Sequence, residues 1–233
     1  NGLELKLLDK YRNKLSPDIY NQEYNPPRVD KNNSIRSNLL KAVSILNDAG
    51  WVQAPSGNFM KNGRSFEFEI LLRSPSFERI VAPFIKNLRR IGINARMRTV
   101  DSSQWINRIQ AFDFDMIVFS WGQSLSPGNE QRNYWGSLAA NQQGSRNFAG
   151  VKDPIVDDLI EGLILSETRD ELVAYTKAID RVLQWGHYVI PNWYSSDTRV
   201  AFWNKLSYPS KIPLLGVSVS TWWFDMGKYK KFL

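Results

Sequence analysis

The hydrophobic period changes repeatedly between Phe66 and Phe119, and this alternation constrains the fold more than any other feature of the chain. Phe66, Phe68, Ile70 and Leu72 alternate with Glu67, Glu69, Leu71 and Arg73, the period-two pattern of a strand. Ser76 then caps a helix with Ile80, Phe84, Leu88 and Ile91 on one stripe, and Gly92 ends it. Ile93 to Val100 reads as a second strand. Asp101, with Gln104 three residues on, resembles a capping box that opens a short helix to about Gln110. Phe114-Asp115-Met116-Ile117-Val118-Phe119 is apolar on both faces, as buried parallel strands are. Strand–helix–strand–helix–strand predicts an α/β fold, a parallel or mixed sheet with helices on its faces.

The flanks are read from their caps and breakers. Residues 1–33 are punctuated by Ser16-Pro17, Pro26-Pro27 and Lys31-Asn32-Asn33, and read as irregular chain that needs a partner surface. Ser34 caps a helix to about Ala49, with Ile35, Leu39, Val43 and Leu46 on one face and Gly50 as its stop. Asn62-Gly63 is a hairpin turn. Residues 120–150 form a long polar loop, of a length more often functional than filler. Asp153-Pro154 starts a helix with Val156, Leu159, Ile160, Leu163 and Ile164 facing in. Thr168 and Glu171 form a capping box for a helix to Trp185, stopped by Gly186. Tyr188–Tyr194 and Arg199–Trp203 read as strands, the first an edge because of Pro191. An extended tail follows from Asn204, with Trp222-Trp223 as a docking anchor.

Composition excludes several chemistries. The chain has no Cys, which rules out disulfides, zinc–thiolate sites, iron–sulfur clusters and cysteine nucleophiles. A single His, His187, rules out two-histidine metal sites. With 30 Lys+Arg against 23 Asp+Glu the net charge is +7. The basic residues are scattered; the densest groups are Arg89-Arg90 with Arg96 and Arg98, and the tail Lys228–Lys231. Neither has the length of a groove-tracking nucleic-acid patch, so a solvated basic surface is expected and no nucleic-acid partner. No run of about 18 apolar residues predicts a membrane span. The chain opens Asn1-Gly2-Leu3 rather than with Met, as a processed product or part of something longer would.

Candidate chemistry is sparse. Gly57 to Ser65 superficially resembles a phosphate loop, but its spacing is wrong and it precedes a strand, so a hairpin is expected. Gly122-Gln123-Ser124-Leu125-Ser126 approaches a nucleophile elbow that would place Ser124 with Asp157 or Asp158 and His187. Ser126 replaces its second glycine, and Pro127-Gly128 blocks the required helix. Asp113, Asp115, Asp157 and Asp158 read as capping or solvated carboxylates rather than cation ligands, and His187 as a satisfied, partly buried side chain. Trp121 and Trp135, by contrast, lie in the polar loop with Gln123, Ser124, Ser126, Asn129, Glu130, Arg132 and Asn133. They either plug the loop onto its own domain or form the wall of a peptide-like ligand site at the carboxyl end of a sheet strand.

Several motifs then point to one family. Leu39-Leu40-Lys41-Ala42 through Leu46-Asn47-Asp48-Ala49-Gly50-Trp51 resembles the "A-x-x-L-L-x-x-A-G-W" segment of family-five extracellular solute-binding proteins, the peptide receptors of ABC importers. Gly57 to Gly63, the Phe-rich strand, Asn87-Leu88-Arg89-Arg90-Ile91-Gly92-Ile93 and Val100-Asp101 follow in the order of their C-terminal lobe. Phe112-Asp113-Phe114-Asp115-Met116 is similar to their "y-D-m" strand, and Asn147 through Asp157 to "N-x-x-G…D-P-x-V-D". Gln104-Trp105-Ile106-Asn107-Arg108, residues 121–131, Trp135-Gly136-Ser137 and Trp222-Trp223 look like the Yej branch, linked to import of microcin C and other peptides.

The resemblance implies a class II periplasmic-binding-protein-like lobe, the C-terminal part of a two-lobed receptor. Residues 1–55 would be an inter-lobe crossing segment and helix, 56–205 the ligand-binding lobe, and 206–233 a tail returning to the first lobe. It implies a peptide ligand, the missing first lobe and the ABC permease subunits as partners, a periplasmic location, no catalysis and no cofactor. The Asp with which dipeptide receptors hold the ligand's α-amino group has no counterpart in Gln123-Ser124-Leu125-Ser126, and Glu130 is the nearest acid. Arg132 would suit a ligand carboxylate or phosphate.

Overall fold

The computed structural model describes residues 2–193, 195–214 and 216–230. It divides into two units, residues 1–189 and 190–233. The first unit opens with α1 (Gly2–Asp9) and the short α2 (Asp18–Asn21), followed by α3 (Ile35–Asp48). Residues 1–33 are therefore not irregular throughout. Leu8 and Ile19 are buried in one cluster with the helices near residue 160 and 180, and that surface orders the segment. The Ser34 hydroxyl caps α3 through the Ser37 amide. Gly50 adopts a φ of 81° after the helix, as expected of its stop.

An antiparallel meander, β1 (Val52–Gln53), β2 (Phe59–Lys61) and β3 (Arg64–Ser65), turns at Asn62-Gly63, both at positive φ. The hairpin expected there is present, and no phosphate loop. Then β4 (Glu67–Leu72), α4 (Glu78–Arg90), β5 (Asn94–Thr99), α5 (Ser102–Gln110) and β6 (Met116–Ile117) build a parallel sheet in the order β5-β4-β6. Side-chain alternation on β4 feeds two cores. Ile70 and Leu72 pack with Val81 and Ile85 of α4, while Leu71 packs with Trp105 and Ile109 of α5. Helices thus cover both faces, as the α/β reading requires. Gly92 lets two elements approach closely: a Cβ there would lie 2.2 Å from the Gly57 carbonyl oxygen.

Three local expectations are corrected here. Ser76 is not the cap of α4; Ser74 caps a 3-10 turn at Pro75–Phe77 that leads into it. The strand over 114–119 shrinks to Met116–Ile117 and is half-buried, because only these two residues find partners, opposite Ile70 and Leu71 of β4. Residues 120–150 hold α6 (Glu130–Trp135) and a 3-10 turn at Ala139–Asn141 rather than one continuous loop.

Two long helices complete the unit: α7 (Pro154–Ile164), capped by Asp153, and α8 (Arg169–Trp185), opened by the Thr168–Glu171 capping box. Both caps match the expectation. Val156, Leu159, Ile160 and Leu163 of α7 meet Ala178, Ile179 and Val182 of α8 beneath α1. Glu4 reaches Arg181 at 2.5 Å, and Asp158 accepts from both Lys10 and the Tyr11 hydroxyl. Gly186 keeps a right-handed φ of −74°; the left-handed turn is taken by His187 at φ 52°.

The second unit contains β7 (Leu206–Ser207), paired antiparallel with β8 (Trp223–Phe224), and α9 (Met226–Tyr229). The expected strands over 188–194 and 199–203 are absent among the described residues. Tyr194 lies outside them. Extended sequence without a hydrogen-bonding neighbour stays unpaired chain, and the pairing occurs instead inside the expected tail. Phe202, Tyr208 and Trp222 cluster with ring centroids 4.7–5.7 Å apart.

Candidate functional site

The chain leaving β6 at its carboxyl end is the place where open α/β sheets carry ligands. Trp121 and Trp135, fourteen positions apart, come together there with ring centroids at 4.8 Å. The Trp121 ring also lies 5.1 Å from Phe119, and its indole N–H donates to the Arg146 carbonyl at 2.9 Å. The pair is therefore tied to the core on one side and to the returning chain on the other. Two buried side chains fix that return. Asn147 is fully buried; its amide donates to the Gly136 and Val151 carbonyls and accepts from the Val151 N–H, each at 2.9 Å. Ser145 donates to the Ala139 carbonyl at 2.6 Å.

The polar candidates separate into two groups. Gln123 accepts at 2.8 Å from the buried Gln131 amide, and Ser124 accepts from the Ser126 N–H. Gln123, Ser124 and Trp135 line a cavity of about 480 Å³ whose other wall is α8. Trp121 touches Trp135 without lining the cavity, and Ser126 is exposed. The remaining four brace the segment. Arg132 grips Glu161 of α7 with two parallel bonds of 2.7 and 2.5 Å and donates to Asn129 at 2.6 Å. Its fork is thus engaged within the protein. Asn133 accepts from the Arg146 N–H. Burial pushes the Glu130 carboxyl up, but hydrogen bonds from the N–H groups of Gly128 and Glu130 and from Gln131 outweigh it, leaving the group below the usual carboxylate range.

The α8 wall was not among the sequence candidates. Arg169, Val173 and Lys177 recur every four residues along it, a stripe outside the face that packs on α7. Leu172, Tyr175, Ala178, Ile179, Val182, Leu183 and Trp185 all pack on the cluster shared with α7, so the apolar pattern of α8 carries no separate signal for this wall.

Among the described residues no hydrogen bond links Ser124, His187 and Asp157 or Asp158 as the hydrolase alternative would need. Ser124 is engaged with Ser126, and His187, exposed rather than partly buried, has its ring 5.9 Å from Tyr24. The carboxylates considered for a cation are all used by the fold. Asp113 accepts from Arg108, Asp115 from the Glu69 N–H, Asp157 from the Ser137 N–H, and Asp158 from Lys10 and Tyr11. Among the described residues no group of three or more acids or His is placed to hold a metal, and no helix is long and apolar enough to cross a membrane. Of the basic group, Arg96 pairs with Glu69, and Arg89 donates to the Ala95 carbonyl.

Comparison with known proteins is consistent with this geometry. Residues 9–143 match the middle part of the bacterial extracellular solute-binding proteins, family 5. The chain is 49% identical to an uncharacterized protein y4wM of Sinorhizobium fredii, over 95% of this chain and 34% of that protein. It is 42% identical to a probable peptide-binding protein YejA of Agrobacterium fabrum, over 95% of this chain and 36% of that protein. The chain thus spans about a third of the length of these relatives. The oligopeptide-binding protein AppA of Bacillus subtilis, solved with a nonapeptide, shares the fold at a TM-score of 0.56 and 20% identity, over 78% of this chain and 37% of that one.

Proposed function

The chain belongs to family 5 of the bacterial extracellular solute-binding proteins, and on that premise we propose that it is the C-terminal ligand-gripping part of a receptor for an ABC peptide importer. The receptor captures peptides or peptide-derived compounds, including microcin C-like molecules, in the periplasm and delivers them to the permease. Residues 56–205 serve as the ligand lobe, 1–55 as the crossing segment, and 206–233 as a tail that packs on the first lobe. Ligand shifts the population toward a closed two-lobed state that the permease recognises. No residue has a catalytic role in this reading.

One observation carries it: a braced Trp121–Trp135 pair, with Gln123 and Ser124 beside a cavity, at the carboxyl end of a parallel sheet. Aromatic walls with a few convergent polar groups suit peptides. In a protein of the relatives' length containing this chain, Trp135→Ala and Gln123→Ala weaken short-peptide binding at least about tenfold, since each removes contact area or a hydrogen bond at the site. Calorimetry measures it, and circular dichroism confirms the fold. Unchanged affinity in both variants contradicts the assignment.

A further inference from the structure

The cavity beside the Trp pair has an apolar floor and a charged rim, and one member of that rim, Lys177, is not engaged by the fold. Trp135, Leu163, Leu172 and Val173 supply apolar surface, and Arg169, Lys177 and Asp180 stand around it. Arg169 donates to the Leu125 carbonyl, which ties α8 to the loop. The Asp180 carboxylate accepts from Gln184 at 2.6 Å. Lys177 has no hydrogen-bond or ion-pair partner among the described residues, although it lines both this cavity and an adjoining polar one that includes Glu4, Glu23 and Arg181. Glu4 in that neighbour is taken by Arg181. Arg169 and Lys177 are eight residues apart, about 12 Å along the helix, so one anionic group cannot reach both.

We propose that this cavity is a specificity subsite that takes an aliphatic side chain at the C-terminus of a peptide, with the Lys177 ammonium as counter-charge for the terminal carboxylate. The inference rests on the peptide-receptor reading and adds a direction and a side-chain class to it. A volume of about 480 Å³ lies in the range of small-ligand sites. The free ammonium beside apolar surface complements an amphipathic anion: the side chain leaves water for Leu172 and Val173, and the carboxylate stays at the wet rim. Arg169 keeps the cavity open on the loop side by holding Leu125.

The test is a nuclear magnetic resonance titration of this chain with three probes: N-acetyl-Leu-Leu, its C-terminal amide, and N-acetyl-Glu-Leu-amide. The free acid shifts the Trp135 indole and Val173 amide signals and binds at least about fivefold tighter than its amide, the size of one partly exposed charge contact. The Glu probe, whose carboxylate is internal, behaves like the amide. Lys177→Gln erases the difference between acid and amide without changing the amide's affinity, and Lys177→Arg preserves it. A ratio that survives Lys177→Gln overturns the subsite. So do shifts confined to Trp121 and Gln123, which leave peptide binding itself standing. No saturable shift up to about 50 mM also overturns the subsite, while the receptor reading is judged separately by its own test in the two-lobed protein.

Discussion

Residues 2–189 and 190–230 are similarly supplied with large apolar side chains but use them in opposite ways. In the first region Leu8, Leu71, Val156 and Leu159 are all fully buried, in clusters joining α1 to α7 and α8 and the sheet to its helices. In the second, Ser207 is the only described residue that is buried, although the region contains Trp203, Trp222, Trp223, Phe202 and Phe224. Trp203 is 77% exposed and Leu214 87%. A unit of this length cannot enclose much surface, so aromatic content alone does not make a core. Each such ring covers about 150–250 Å² when buried, and the proposed first lobe is the surface that would bury them.

The contrast is most easily broken by core truncation. Leu159→Ala lowers stability by about 3 kcal/mol, whereas Trp223→Ala, half-exposed in the second region, changes it by less than about 0.5 kcal/mol. Urea midpoints measure both, and equal effects end the distinction. Asn147→Ala costs about 2 kcal/mol, because it strands buried backbone groups of Gly136 and Val151, and hydrogen exchange at the Val151 amide accelerates. Limited proteolysis cuts first between residues 190 and 205 and leaves a resistant core from the first unit. First cuts within α7 or α8 would invert the comparison.

The smallest effect is acid-dependent. Hydrogen bonds from Lys10 and Tyr11 hold the Asp158 carboxyl below the usual range. The unfolded chain titrates near pH 3.9, so more protons bind to it than to the folded state as pH falls. The stabilisation is present above that value and is lost as pH drops through the depressed folded value. Asp158→Asn flattens the pH dependence of the urea midpoint below about pH 5 by a small amount, since the group is half-exposed.

Much of the first unit is legible in the sequence because local signals and burial agree there. The β4 alternation, the Ser34 and Asp153 caps, the Thr168–Glu171 box and the Asn62-Gly63 turn each sit where the chain places them. The failures share a cause: they depend on partners that periodicity does not contain. Met116–Ile117 is limited to the two positions that pair with Ile70 and Leu71, α1 forms because α8 covers it, and 199–203 stays unpaired for want of a neighbouring strand. In the candidate site, the Trp pair and Gln123 follow from composition of the loop. The engagement of Arg132 by Glu161, 29 residues away, and the contribution of α8 require the tertiary fold.

The central claim, that this chain is one wall of a two-walled peptide trap, is tested most directly by calorimetry with the same short peptides on two proteins. On the proposed reading half the contacts are absent from the chain alone, so it binds no tighter than about millimolar. A protein of the relatives' length that contains the chain binds in the range of about micromolar. Micromolar binding by the isolated chain, or equal affinity in both proteins, would contradict the account.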